Sequence, residues 1–148
     1  MSQGYGIIML AGGKSSRMGT DKGLIKVHGI PLIQYLLDRL MKVHKNIYIV
    51  ANNIAYEQFG FPTYPDLISD VGPIGGLYTG LCLSPFEKNI ILSCDTPNVS
   101  LKTIQELLNE SKKDTNVVAK TTKLHPLIAV YHKKSIPVIK TCIDQGNY

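Results

Sequence analysis

The sequence predicts an open α/β domain with a mostly parallel central sheet, and three observations support this fold class. Short apolar runs typical of buried strands alternate with segments of helical periodicity along the chain. The connections between them are short, without an internal repeat, low-complexity tract or linker. The 148 residues suffice for one domain with a sizeable core. We therefore expect a single domain over residues 1–148, with its ligand at the carboxyl edge of the sheet.

The first predicted strand, Gly6–Leu10, leads directly into a basic, glycine-rich loop. From Leu10 to Lys22 the sequence is Leu-Ala-Gly-Gly-Lys-Ser-Ser-Arg-Met-Gly-Thr-Asp-Lys. Glycine lets backbone N–H groups approach a ligand, and the cations supply the charge that a phosphate needs opposite it. A P-loop would require glycine where Ile8 stands, and the dinucleotide fingerprint would require one at Met9. The loop therefore predicts an anion site of another type.

The next stretch predicts core elements. Leu24–Val27 is typical of a short extended segment, and Pro31 suits the first position of a helix. Apolar residues recur at helical spacing in that helix and would form one apolar stripe; they are Leu32, Ile33, Leu36, Leu37, Leu40 and Met41. Ile47–Ala51 is the second predicted strand, and Asn52 follows it.

A second glycine-rich element follows the third strand. Residues 54–60 predict one or two helical turns, and the short strand Thr63–Tyr64 leads to Asp66. Val71–Leu77 then opens a helix whose predicted buried side comprises Leu77, Tyr78, Leu81 and Cys82. The N-terminus of such a helix presents free N–H groups and the positive end of its dipole, although a Gly-Pro turn alone would give the same pattern.

The clearest strand, Asn89–Cys94, ends at Asp95. A carboxylate at the carboxyl end of a buried parallel strand lies where open α/β sheets bind ligands. Aspartate is a good Mg²⁺ ligand, because Mg²⁺ prefers hard anionic oxygen and shares its other positions with phosphates and water. The competing interpretation is that Asp95 only caps the turn before Pro97.

The last part of the chain predicts two helices and two strands. Ser100 is the predicted N-cap of a helix over Leu101–Ser111. The other elements are strands at Asn116–Ala119 and Leu127–Tyr131 and a helix at Ser135–Ile143. All the informative loops follow strands, so we expect them to meet at one sheet edge.

Composition narrows the function classes. The 16 Lys and Arg residues against 11 Asp and Glu residues give a net charge of +5, which favours a polyanionic small ligand. A nucleic acid is not expected, because no basic run carries interleaved aromatic residues, and no apolar run reaches the ~18 residues of a membrane span. Cys82, Cys94 and Cys142 predict reduced, mostly buried thiols in a cytoplasmic protein.

The first loop resembles, residue for residue, the nucleotidyltransferase signature Leu-Ala-(Gly/Ala)-Gly-x-(Ser/Gly)-x-Arg-Met-Gly-x-Asp-Lys. Its double glycine and Asp-Lys-Gly ending look most like molybdenum cofactor guanylyltransferase. The segments Gly-Pro-Ile-Gly-Gly, Cys-Asp-Thr-Pro and His-Pro-Leu-Ile-Ala-Val-Tyr also follow in that family's order. The resemblance implies a Rossmann-like nucleotidyltransferase fold of the glycosyltransferase-A type.

The resemblance also implies an activity and a site. GMP from GTP would join the phosphate of molybdenum-loaded molybdopterin, forming molybdopterin guanine dinucleotide and releasing pyrophosphate, with Mg²⁺ as cofactor. Candidate protein partners are molybdoenzymes and cofactor-insertion proteins. The implied catalytic residues are Arg17, Lys22 and Asp95, with Asp95 also the metal ligand. The implied nucleotide-binding residues are Leu10, Ala11, Gly12, Gly13, Lys22, Asn52, Asp66, Gly75 and Asp95.

Two departures from the family pattern carry further expectations. Val50 stands where the family often has asparagine, so Asn52 is the substitute expected at the ribose. The family continues to an Asn-x-Asn-Thr-Pro segment, whereas this sequence ends at Tyr148, so we expect it to bind GTP but to transfer GMP poorly. The acceptor wall would then consist of Lys120, Lys123, His125 and the following strand.

Two other functions remain open from the sequence. A related nucleotidyltransferase could use CTP on molybdopterin, or another nucleoside triphosphate on a sugar phosphate. A nucleotide-binding module without catalysis would bind the same ligand. Release of pyrophosphate separates this module from either enzyme.

Overall fold

A computed structural model describes residues 4–11, 21–111 and 115–148. Its strands are β1 Gly6–Leu10, β2 Lys26–Val27, β3 Ile30–Pro31, β4 Ile47–Val50, β5 Thr63–Tyr64, β6 Lys88–Ser93, β7 Val117–Lys120 and β8 Leu124–His132. Its α-helices are α1 Leu32–Met41, α2 Pro73–Leu83, α3 Leu101–Glu110 and α4 Ile136–Asp144. Short 3-10 helices occupy Lys22–Leu24, Ile54–Phe59 and Lys133–Ser135.

The central sheet has six strands in the order β5-β4-β1-β6-β8-β7. The first four strands of this order are parallel, while β8 runs antiparallel to both β6 and β7. The predicted open, mostly parallel α/β sheet is therefore confirmed. Strand β1 lies at the centre, where Leu10 is in register with Val50 of β4 and Ser93 of β6.

Two apolar layers cover the sheet, and alternate residues of β1 divide between them. Ile7 and Met9 belong to the layer that α1 and α3 close, while Ile8 and Leu10 belong to the layer that α2 and α4 close. Burial on both faces explains why β1 is a continuous apolar run rather than an alternating one.

Helix α2 packs against the sheet through small residues, which corrects its predicted buried side. Leu77 and Leu81 are buried as predicted, but Tyr78 and Cys82 are only partly buried. The helix instead turns Gly80 inward, where an added Cβ would lie 2.6 Å from Cγ2 of Ile8. A helix backbone this close to the sheet requires small residues on the contacting face.

Other boundaries also differ from the predictions. Pro31 is the N-cap of α1 rather than its first helical residue, because it pairs with Lys26 in the β2–β3 hairpin. Leu24–Val27 is part 3-10 helix and part strand. Of the cysteines, Cys94 is buried while Cys82 and Cys142 are intermediate, so the prediction of mostly buried thiols was wrong.

The helices of the described segments are too short or too polar to span a bilayer.

Candidate active site

The carboxyl ends of β1, β4, β5 and β6 form one edge, and backbone hydrogen bonds continue past the strands there. Ala11 N–H donates to the Val50 carbonyl at 2.9 Å, and Cys94 N–H donates to the Leu10 carbonyl at 3.0 Å. Neighbouring strands lie ~4.8 Å apart, so the residues that follow β4 and β6 flank the end of β1 within reach of one nucleotide.

On one side of β1, Asn52 and Asp66 form a doubly hydrogen-bonded pair. Asp66 N–H donates to Oδ1 of Asn52 at 2.9 Å, and Nδ2 of Asn52 donates to Oδ2 of Asp66 at 3.2 Å. Partial burial raises the pKa of Asp66 above its ordinary value, and the bond from Asn52 acts in the opposite direction. The pair fixes a carboxylate that still has acceptor capacity at the edge.

The segment after Asp66 is tied to the start of α2 by a buried hydroxyl. Leu67 N–H donates to Oγ1 of Thr79 at 2.8 Å, and that hydroxyl donates to the Gly75 carbonyl at 2.7 Å. A Cβ at Gly76 would lie 3.2 Å from Cδ2 of Leu10 and 3.7 Å from Oδ1 of Asp66. The first turn of α2, Asp66 and the end of β1 therefore converge closely.

On the other side of β1, the ammonium of Lys22 faces the carboxylate of Asp95. The Lys22 Nζ to Asp95 Oδ2 distance is 3.7 Å, and the two side chains are 54% and 40% exposed. Such an open ion pair contributes little to stability, so both groups can exchange partners when a ligand enters. Ser93 Oγ donates to the other oxygen of Asp95 at 2.5 Å and orients the carboxylate.

Gly23 explains how Lys22 reaches this position. It is buried, and an added Cβ would lie 2.8 Å from Oη of Tyr56 and 3.0 Å from Sγ of Cys94. Any side chain at Gly23 would push the 3-10 helix away from β6 and carry Lys22 away from Asp95. The glycine of the Asp-Lys-Gly motif is thus a packing requirement of the site.

Across from Asp95, a cleft of about 650 Å³ opens between α3 and the β7–β8 hairpin. One wall includes Pro97 and Val99, and the other includes Lys120 and His125. Its base is apolar, and Thr121 Oγ1 lies 2.9 Å from Nε2 of His125 at the rim. Glu106 and Glu110 of α3 also line the cleft, so its lining carries both signs of charge.

Comparison with known proteins gives the family. Residues 7–148 match the model of the MobA-like NTP transferase domain. The chain belongs to this family. A Vibrio campbellii protein named "Molybdenum cofactor guanylyltransferase" is 34% identical, with 95% of this chain and 74% of that protein covered. A Flavobacterium johnsoniae protein named "Probable molybdenum cofactor guanylyltransferase" is 38% identical, and the match covers 92% of this chain and 73% of that protein.

A solved structure shares the fold of this MobA-like NTP transferase. Molybdopterin-guanine dinucleotide biosynthesis protein A from Archaeoglobus fulgidus superposes with a TM-score of 0.79 at 23% identity, covering 95% of this chain and 73% of that one. The glycosyltransferase-A type nucleotidyltransferase fold that the sequence resemblance implied is thereby confirmed.

The structure brings most predicted site residues of this MobA-like NTP transferase to one edge. Those placed there are Leu10, Ala11, Lys22, Asn52, Asp66, Gly75 and Asp95. Gly12, Gly13 and Arg17 lie outside the described residues. Of the predicted acceptor wall, Lys120 and His125 line the cleft, whereas Lys123 is not among its lining residues.

Sequence reasoning missed Thr79, the packing role of Gly23, and Arg39, whose Nη1 donates to the Pro97 and Val99 carbonyls of the cleft wall. A threonine in an apolar helix gives a weak signal that its hydroxyl has a partner inside the fold. Arg39 stands on the polar face of the α1 pattern and resembles any solvated cation there. The roles of these residues become visible only in the contacts that they make with distant segments of the chain.

A metal ion at this edge would be held by Asp95. In the parts of the chain described here, no group of three or more His, Cys, Asp or Glu side chains could bind a metal. Asp95 offers one carboxylate, half exposed and already turned toward a cation. That donor set fits Mg²⁺, which takes one or two protein carboxylates and completes its shell with phosphates and water.

Proposed function

We propose that this protein transfers GMP from GTP to the terminal phosphate of molybdenum-loaded molybdopterin, forming molybdopterin guanine dinucleotide. The observation that carries the proposal is the meeting of Lys22 and Asp95 beside the Asn52–Asp66 pair. Family membership and relatives of 34% and 38% identity named for this activity support the same reaction.

The nucleoside end of GTP would lie over β1, between β4 and α2. Asp66 presents carboxylate oxygens to hydrogen-bond donors of the nucleoside, and Asn52 keeps that carboxylate in place. Gly75 and Gly76 bring the first turn of α2 close to it, since a Cβ at Gly76 would lie at contact distance, 3.7 Å, from Oδ1 of Asp66. Leu10 and Ala11 would support the ring from below, and Gly12 and Gly13 complete the proposed set.

The phosphates would lie toward β6. An oxygen of the acceptor phosphate forms a bond to the α-phosphorus of GTP as the bond to the bridging β-phosphate oxygen breaks, and pyrophosphate leaves with that electron pair. Both reactants are anions, so Lys22 and Arg17 lower their repulsion, and no general base is needed because the phosphate is already ionised. When bound, Mg²⁺ on Asp95 stabilises the negative charge that develops on the transferred group.

The acceptor would occupy the cleft opposite the nucleotide. Its apolar lining suits a flat pterin, and anionic groups of the acceptor would lie toward Lys120 and His125, away from Glu106 and Glu110 on α3. Asp95 stands at the mouth of the cleft and at the phosphate end of the nucleotide site, which brings the two substrates together at one carboxylate.

Pyrophosphate release from each of the four nucleoside triphosphates, with molybdenum-loaded molybdopterin and Mg²⁺, tests the proposal. We expect release with GTP only, and none when EDTA replaces Mg²⁺. Release with CTP would favour the cytidylyl alternative. GTP binding without any release would indicate a nucleotide-binding module and overturn the proposed reaction.

The pH dependence of GTP binding tests the role of Asp66. Burial raises its pKa and the bond from Asn52 lowers it, so Asn52→Leu is expected to raise the pKa further. If binding requires the carboxylate, affinity falls as pH drops through that pKa, and the acid limb moves to higher pH in the variant. Calorimetry between about pH 4 and pH 8 measures the affinity for GTP in the parent and in the variant.

Asn109→Leu on α3, which removes an amide bonded to Gln105 on an exposed surface, is the matched control and should leave the profile unchanged. The sign for folding is the opposite of the sign for binding: a carboxyl pKa raised in the folded state contributes stability at low pH, and that stability is lost as pH rises through the folded-state pKa. An Asn52→Leu profile that overlays the parent profile would contradict the role of Asp66.

A further inference from the structure

The segment that joins Asp95 to α3 has little backbone pairing of its own. Thr96 N–H donates to the Ser93 carbonyl at 3.2 Å, and Val99 N–H donates to the Thr96 carbonyl at 3.3 Å. Both are local turn contacts, and α3 begins only at Leu101. Residues 95–100 nevertheless form one wall of the cleft. Val99 packs against the apolar core, and a second contact from outside the segment holds its backbone.

Arg39 of α1 supplies that contact from far away in the sequence. Its Nη1 donates to the Pro97 carbonyl at 2.9 Å and to the Val99 carbonyl at 2.5 Å. Helix α1 is itself held firmly, since Leu36, Leu37 and Leu40 are 0% exposed. A charged donor to two carbonyls is stronger than a neutral hydrogen bond, so the guanidinium fixes the segment to the core.

We propose that Arg39 is a positioning residue for the transfer reaction, acting through residues 95–100 on the acceptor side of the site. This role rests on the proposed function. Asp95 is fixed by Ser93 and by the end of β6, whereas the cleft wall at Pro97 and Val99 depends on where the guanidinium holds their two carbonyls. Asn52 and Asp66 lie on the other side of β1, and their hydrogen bonds to each other do not involve Arg39.

This placement predicts a split between the two substrates. Removing the guanidinium should raise the KM for the acceptor and lower kcat, because small displacements of reacting groups cost about tenfold to hundredfold in rate. The affinity for GTP is measured without the acceptor. It should stay within about twofold of the parent value, which is much less than a tenfold change in Kd.

The experiment compares Arg39→Met with Arg39→Lys and with Lys42→Met, which removes an exposed cation from the end of the same helix. Hydrogen–deuterium exchange of residues 95–101 comes first, because it requires no activity. We expect faster exchange there in Arg39→Met, partial recovery in Arg39→Lys and no change in Lys42→Met. Steady-state kinetics with varied acceptor, GTP calorimetry and thermal melts follow on the same proteins.

Each result has a distinct meaning. Unchanged exchange at residues 95–101 in Arg39→Met would overturn the positioning role. A loss of GTP affinity as large as the rise in the acceptor KM would also overturn it. If Arg39→Met does not fold, Arg39→Lys carries the same tests. A parent protein that releases no pyrophosphate, while exchange still changes as expected, would overturn the proposed reaction and the catalytic part of this role but leave the structural contact established.

Discussion

Asp95→Asn is expected to abolish Mg²⁺-dependent GMP transfer while leaving the fold intact. The substitution keeps the shape and the bond from Ser93 but removes the negative charge that faces Lys22 and would bind the metal. Loss of such an electrostatic contact costs at least ~3 kcal/mol of transition-state stabilisation, which is about a hundredfold in rate. Single-turnover transfer at varied Mg²⁺ concentration measures the effect.

Asp38→Asn is the matched control, because it removes the same charge from an exposed position on α1, where Asp38 accepts a bond from Gln34. It should keep the parent rate and Mg²⁺ dependence. A thermal melt of Asp95→Asn close to the parent melt shows that the loss is not one of folding. Transfer within about threefold of the parent, far short of the expected loss, would exclude Asp95 as the metal ligand.

Lys22→Ala is expected to weaken the binding of GTP much more than that of guanosine. The ammonium lies beside Asp95, on the side of β1 away from Asp66, so it should meet phosphate rather than base. A hydrogen bond to a charged group contributes about 1.5–3 kcal/mol, so GTP affinity should fall by about ten- to a hundredfold. Calorimetry with both ligands gives the comparison.

Lys26→Ala is the control for this variant, since it removes an exposed cation from β2, just after the same 3-10 helix. Lys26→Ala should change the affinity for GTP and the affinity for guanosine by much less than Lys22→Ala changes the affinity for GTP. Equal losses of GTP and guanosine in Lys22→Ala would mean that the lysine shapes the loop over Gly23 instead of binding phosphate.

The local sequence predicted where each polar residue of the site stands along the chain. Asp95 was predicted because the apolar run Asn89–Cys94 is typical of a buried strand, and ligands of open α/β sheets gather where such strands end. Asn52 and Asp66 also follow predicted strands, and the family resemblance implied their roles. The predictions were wrong at Pro31, at the buried side of α2 and for the burial of Cys82 and Cys142, where packing between elements shifts a boundary or sets which side of a helix is covered.

The contacts among these residues were decided by the arrangement of the strands. Asn52 and Asp66 meet because β4 and β5 are adjacent and parallel, with Val50 in register with Tyr64. Lys22 meets Asp95 because Gly23 allows a 3-10 helix to pack directly on Tyr56 and Cys94. Periodicity along one segment carries no information about which distant segment it will touch.

The sequence by itself determined the fold class, the family signature and the candidate residues for binding phosphate and metal, because these depend on residue types and on spacing within single segments. Only the tertiary structure decided that Thr79 of α2 bonds the backbone of Leu67, that Gly23 brings Lys22 to Asp95, and that Arg39 holds the carbonyls of Pro97 and Val99. Each of these is a contact between separate elements or a close approach of backbones, and both arise from packing around a shared core rather than from any local pattern.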